Sequence, residues 1–376
     1  MSIRQMFPGS IVKPGFNPLI APTPSYTYNL YSWGTNGYGQ LGLANTTSYS
    51  SVKQVGSLAD WSKISGTYYG CTAIKSDGTL WAWGANSDGQ LGTGNTTDRS
   101  SPVQVGSLST WYLIASGFSH VLAIKTDGTL WSWGLNSTGQ LGLGNTSSYS
   151  SPKQIGALTT WAYVGIGANN SVAIKSDGTL WTWGFNGSGF LGLGDTTNRS
   201  SPTQVGSLTN WAKATIGACA LAVKTDGTLW SWGYNASGQM GIGNSTYYSS
   251  PKQVGALTNW LSVSSGYNFS TSIKTNGTLW AWGNNSFGQL GLGNTSGYNS
   301  PKQVGALTTW LSLASGQYFT ITTKTDGTLW SWGRNNFGQL GLSDTSNRSS
   351  PNQIGSGTTW NQITTAKYGS SFATAY

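Results

Sequence analysis

The sequence predicts an all-β protein: a seven-bladed β-propeller of four-stranded antiparallel blades, closed by pairing of its N- and C-terminal strands. Three observations carry that expectation. The dipeptide Trp-Gly recurs at Trp33, Trp83, Trp133, Trp183, Trp232, Trp282 and Trp332, fifty residues apart at every step except one of forty-nine; self-similarity at a fixed period marks a repeat architecture. Each unit holds two alternating apolar runs, such as VLAIK and TLWSWG, around an Asp-Gly turn at Asp127 and Gly128, which is the strongest short-range signal for a hairpin. The last unit stops at SSFATAY, where other copies continue into that hairpin, while the first starts at YNLYSWG without the strand that precedes it elsewhere.

Residues 1–27 lie outside the repeat and carry Pro8, Pro14, Pro18, Pro22 and Pro24, a composition suited to an extended arm. The arm is either a disordered leader or an anchor laid along a partner, with Arg4, Phe7 and Phe16 as its anchoring side chains. Pro and Gly interrupt it before a signal-peptide core could form, and no stretch of the chain approaches the roughly 20 apolar residues that span a bilayer. No membrane insertion is expected.

The propeller then runs from residue 28 to 376. In Thr129–Trp133, period-two geometry puts Trp131 and Trp133 on one face and Leu130 with Ser132 on the other, so a bulky face meets a small face of the adjacent blade. The segment holding Trp111, Leu113 and Ala115 supplies a third strand, and the run around Val103 to Val105 a fourth; four short strands make a blade. A covered Trp buries on the order of 150 to 250 Å², so the indoles alone make a lone blade insoluble without neighbours. Leu30–Trp33 is expected to pair with Phe372–Tyr376, leaving no sheet edge open, and Tyr31 in place of the usual Trp explains a total of 20 Trp.

Composition narrows the function classes. Charged residues are only 8% of the chain, with 54 Gly and 13% aromatics, which excludes disorder. The net charge of +9 arises from scattered Lys and Arg against 10 Asp and no Glu, a mild basicity without the clustering that nucleic acid requires. Cys71 and Cys219 fall in repeats far apart around a ring and are expected to be free, buried thiols.

The string W-G-x-N-x-x-G-Q-L-G at Trp83–Gly92 and Trp133–Gly142, followed by S-S-P-x-Q-V/I-G and a K-x-D-G-T-L-W hairpin, resembles the regulator of chromosome condensation repeat family over about residues 29 to 376. The resemblance implies a seven-bladed propeller. Its members include a nuclear guanine-nucleotide exchange factor, a secreted β-lactamase inhibitor and many microbial and phage proteins, so fold does not fix function. The family's His before the hairpin strand is kept only at His120; Gly70, Asn170, Cys219, Phe269, Phe319 and Gly369 stand at the matching positions. Exchange activity in the nuclear member depends on an inserted wedge and acidic surface residues. The even spacing here leaves no insertion, so no exchange site is carried over.

Candidate sites are few. His120 lacks a partner for acid–base work and is read as satisfied within its strand. One His, two distant Cys and isolated Asp give no ligand cluster, so no catalytic residue, metal or cofactor is expected. Lys75, Lys125, Lys175, Lys224, Lys274 and Lys324 form a ring that reads as a solvated rim, each with an Asp or Asn two residues on; Lys53, Lys153, Lys252 and Lys302 form a partial second ring. Tyr49, Arg99, Tyr149, Arg199, Tyr248, Tyr298 and Arg348 recur after the G-Q-L-G turn, either as packing between blades or as a binding ring of hot-spot residue types. Phe185, Tyr234 and Arg334 occupy a position that varies between otherwise copied units and could make one face asymmetric.

The expected function is a non-enzymatic structural or adhesive scaffold on a phage virion surface, as a fibre, decoration or receptor-binding protein. Its arm would dock other virion proteins and its propeller would face a host surface protein or glycan. The alternative is a cellular protein-binding or enzyme-inhibitory propeller, extracellular or cytoplasmic; an exchange factor or chromatin binder comes third.

Overall fold

The repeat folds as its turn chemistry dictates. In blade 1 the strands are Trp61–Gly66, Gly70–Lys75, Leu80–Gly84 and Arg99–Gln104, paired antiparallel in that order from inside to outside. A computed structural model describes residues 28–57 and 59–376, and these residues form seven such four-stranded sheets. Each inner strand neighbours the inner strands of both flanking blades, so the seven surround an axial channel. No helix among the described residues is long and apolar enough to cross a membrane.

The Asp-Gly hairpin shows why the sequence is so repetitive. Gly128 N donates to Lys125 O at 2.9 Å with Gly128 at φ +79°, and a Cβ there would lie 2.2 Å from the Thr159 carbonyl oxygen. Only glycine fits. Asp127 Oδ1 accepts hydrogen bonds from Thr129 N and Oγ1, and Thr129 Oγ1 accepts one from Trp131 Nε1, which ties the turn to its strand.

Packing between blades follows the expected alternation of bulky and small faces. Trp131 and Trp133 of blade 2 (strands from Trp111 to Gln154) cluster with Leu80, Ala82 and Leu91 of blade 1, whereas Leu130 turns the other way against Trp161 and Trp183 of blade 3. Trp133 Nε1 also donates to Gln90 O of blade 1 at 3.0 Å, and Gly92, at φ +74°, leaves room for the indole, since a Cβ there would sit 2.7 Å from Nε1. Trp33 Nε1 makes the equivalent bond to Gln339 O at 2.9 Å, which closes the circle.

Blade 7 is the composite one. Asn29–Gly34 pairs with Ser370–Ala375, with Leu30 opposite Thr374 and Trp33 opposite Ser371, as the chain ends predict; Tyr376 falls just outside the strand. Tyr31 meets Trp360 edge-on at 5.2 Å, in the place that a second Trp fills in the other blades.

Candidate functional site

Strand direction gives the ring two unlike faces. The hairpin face carries the Asp-Gly turns and the links from each outer strand to the next inner strand. The loop face carries the turns between inner and second strands, such as 67–69, and the long loops before each outer strand, such as 85–98.

On the hairpin face, the expected solvated lysine rim is corrected. Lys75, Lys125, Lys224, Lys274 and Lys324 are buried, because each folds back between two indoles of its own blade. Lys125 Nζ lies 3.7 Å from the Trp131 ring centre and 4.9 Å from that of Trp111; Lys175 makes the same stack. Such cation–π contacts offset part of the lost hydration, and burial draws the pKa of Lys125, Lys224, Lys274 and Lys324 below the usual value. These ammonium groups brace the blades.

The Tyr and Arg ring lies at the start of the outermost strands, away from the channel, and six of its seven members engage a charged side chain of their own blade. Lys53 Nζ sits 5.2 Å over the Tyr49 ring, and Lys153, Lys252 and Lys302 repeat this over Tyr149, Tyr248 and Tyr298. Arg199 and Arg348 instead pair with Asp195 and Asp344. In the Arg blades the lysine gives way to Val103, Thr203 or Asn352, so Arg99, Arg199 and Arg348 are never set beside a second cation. Of the variable positions, Tyr234 meets Tyr247 at 4.8 Å, Phe185 meets Phe190 at 6.1 Å, and the Arg334 guanidinium lies within 5.3 to 5.8 Å of Phe287, Phe337 and Tyr318. Arg4, Phe7 and Phe16 lie outside the described residues.

The sequence reading missed the feature that distinguishes the loop face. The turns between inner and second strands bring aromatic rings to the channel mouth: Tyr68 lies 4.2 Å from Phe118, 4.5 Å from Tyr69 and 5.5 Å from Tyr368. Tyr38 and Phe337 extend the arc at 4.7 Å from Tyr69 and 5.5 Å from Tyr368. Backbone bonds join neighbouring turns, Tyr68 N to Phe118 O at 3.3 Å and Gln317 N to Lys367 O at 2.9 Å among them. Burial first, then the Tyr69 and Tyr368 hydroxyls, push the Tyr68 phenol up to about 12.

The arc breaks at blades 3 and 4, where Ala168 and Ala218 replace the aromatic. Blade 4 also has the shorter turn: its last strand pair is Ile216 with Ala220, against Ile166 with Ser171 in blade 3. The one forty-nine-residue step of the repeat therefore falls at the channel mouth. A pocket of about 300 Å³ opens there, walled by Phe118, Phe190, Tyr234 and Tyr267 over Ile216 and Ala218, with Lys367 beside it.

His120 is buried, and its bond runs between blades instead of within its strand: Nε2 lies 3.0 Å from Ser171 Oγ, while Nδ1 has no partner. Burial lowers its pKa from 6.5 to about 3. The unfolded chain therefore binds a proton below pH 6.5 that the folded one refuses down to about 3, and stability falls with pH across that window by about 1.4 kcal/mol per unit. Urea titrations between about pH 7 and 4.5 are expected to show this slope flattened in His120→Asn, the residue that Asn170 provides in blade 3; an equal slope in both proteins contradicts the assignment. Cys71 and Cys219 are free and buried, as expected.

Seven stretches, residues 29–74, 77–124, 127–174, 177–219, 226–273, 276–322 and 326–376, match the family model of the regulator of chromosome condensation (RCC1) repeat. The chain belongs to the RCC1 repeat family. Solved structures share this RCC1 architecture at low identity. Human WBSCR16 matches with a TM-score of 0.82 at 20% identity, over 93% of this chain and 98% of that one. Prp20p from Saccharomyces cerevisiae, described with its binding properties to Gsp1p and histones, gives 0.83 at 18%, over 93% and 92%. Yeast RCC1 (Prp20) bound to Kap60 gives 0.84 at 17%, over 100% and 97%. At these identities the likeness concerns the fold of the RCC1-repeat ring. No curated protein matches the chain.

Proposed function

We propose that this RCC1-repeat propeller is a non-enzymatic protein-binding scaffold that meets its partner with the loop face, around the aromatic mouth of the channel. The supporting observation is the contrast between faces. On the loop face, aromatic side chains differ from blade to blade and stay accessible, with Tyr38, Tyr247 and Tyr267 exposed at 47%, 46% and 47%. Rigid aromatic rings give contact area at low entropic cost. The hairpin face offers the same surface in blade after blade, with Leu108, Leu158, Leu208, Leu257 and Leu307 in equivalent turns.

Three of the matching structures are of human and yeast proteins, one of them described by its binding to Gsp1p and histones, which favours a cellular protein-binding role over the adhesive virion role expected from composition and the Pro-rich leader. A photo-crosslinking residue at Tyr38, Tyr267 or Leu158, introduced in producing cells, separates the readings. Protein adducts are expected from Tyr38 and Tyr267 and not from Leu158. Adducts from Leu158 alone reverse the face; particle incorporation that needs residues 1–27, with no adduct at either tyrosine, restores the virion role.

A further inference from the structure

The pocket at the loop-face mouth holds a cation without a counter-ion. Lys367 stands in the blade 7 turn at a position where five of the other six turns have glycine, so this side chain is peculiar to one blade. Its Nζ reaches across the mouth to the carbonyl oxygens of Ser315 at 3.2 Å and Ser265 at 3.4 Å, on blades 6 and 5. Two carbonyls orient an ammonium group without neutralising it, and a third N–H is left over.

None of the aspartates is placed to balance it. Five occupy the Asp-Gly turns, Asp60 pairs with Lys75 on the hairpin face, Asp88, Asp98, Asp195 and Asp344 sit in the long outer loops, and the chain has no Glu. Burial holds the Lys367 pKa down to about 8, the mark of a charge that has lost water without gaining an anion.

A second polar group in the same pocket is also unspent. Ser265 is only 2% exposed, and its Oγ has no partner beyond the weakly bonding Cys219 thiol beside it. Its counterparts Ser116 and Ser315 bond Thr72 and Thr271 of the preceding blade at 2.6 and 3.0 Å. Blade 4 presents Leu221 at that register, opposite Ser231, so Ser265 has lost its partner through one substitution. Asn268 and Gln317 also line the pocket, and the remaining walls are apolar and aromatic. A concave apolar site with one cation and one idle hydroxyl suits an anionic head on an apolar body, and the net charge of +9 favours an acidic partner.

We propose that this pocket receives a carboxylate of the partner polypeptide, ion-paired to Lys367 Nζ beside Ser265 Oγ, with the adjoining apolar side chain seated between Phe118 and Tyr267. This rests on the reading of the loop face as the protein-binding face. The test uses the full chain and three fluorescent peptides: one capped with an internal Phe-Asp, one ending in a free Phe carboxylate, and a capped Phe-Asn blank. One of the two carboxylate peptides binds better than the blank, and which one does so tells a side chain from a C-terminus. Lys367→Met weakens that binding at least tenfold and leaves the melting temperature unchanged or raised, while Ser265→Ala weakens it a few-fold. Carboxylate peptides no better than the blank, equal binding by Lys367→Met, or displacement by inorganic phosphate at equal affinity each overturn the proposal. Crosslinks from Tyr38 and Tyr267 that survive in Lys367→Met locate the failure in this pocket alone, whereas their absence from the unmutated protein locates it in the loop-face reading.

Discussion

Cutting the chain after Gly369 is expected to abolish cooperative folding of the entire ring. The lost segment, Ser370–Ala375, is hydrogen-bonded on one side to Trp360–Ala366 and on the other to Asn29–Gly34. It also carries Phe372, fully buried and 6.3 Å from Trp83 of blade 1. Without it two strands expose unpaired edges, and the cluster of Leu30, Trp61, Trp83 and Ala366 opens to water; unpaired edges then invite aggregation. The expected readout is a red-shifted Trp emission with no sigmoidal urea transition. A circular permutant that joins Tyr376 to Tyr28, whose rings lie 6.0 Å apart, and opens at the Gly106–Leu108 turn should fold normally. A truncated chain that still melts cooperatively would show that closure is dispensable.

Trp133→Ala should destabilise the propeller by about 3–5 kcal/mol, the usual range for deleting a buried indole. The finer expectation concerns Trp→Phe replacements, which keep most of the volume and remove the N–H. Gln90 O receives only the Trp133 indole, because Val121 stands where Ser171 and Ser270 donate a second hydroxyl bond to Gln140 O and Gln239 O. Trp133→Phe leaves a buried carbonyl unsatisfied, a loss of about 1–3 kcal/mol. Trp183→Phe leaves Gln140 O the Ser171 hydroxyl, and Trp282→Phe leaves Gln239 O the Ser270 hydroxyl and the Cys219 thiol, so their guanidinium midpoints should fall less. Equal midpoints for the three variants would contradict this account of the inter-blade bond.

The ring was legible because its signals are local and repeated. Trp-Gly and Asp-Gly mark strand and turn in each unit, and the split between YNLYSWG and SSFATAY states the closure directly. The working face was not legible for the opposite reason. Tyr68, Tyr267 and Lys367 lie in turns where the repeat stops copying itself, and nothing in a linear string shows that seven such turns converge on one channel. The single forty-nine-residue step was the available clue, since a shortened turn in an otherwise even series marks a gap in whatever those turns surround. The lysine ring misled because Lys125 and Asp127 are neighbours in sequence, while the contacts that matter, Trp111 and Trp131, lie on strands to either side. The residue types of the Tyr and Arg series suit a recognition ring; the structure sets the series at the periphery, with the four tyrosines under lysines and Arg199 and Arg348 paired with aspartates of their own blades.

Asn29 opens a third strand and Ala375 ends a second one, so Tyr28 and Tyr376 come together on the side of the Asp-Gly turns. Tyr376 thus marks the pole opposite the aromatic opening. A linker grafted onto Tyr376 for attachment to a sensor chip would direct that opening away from the support and toward dissolved analyte.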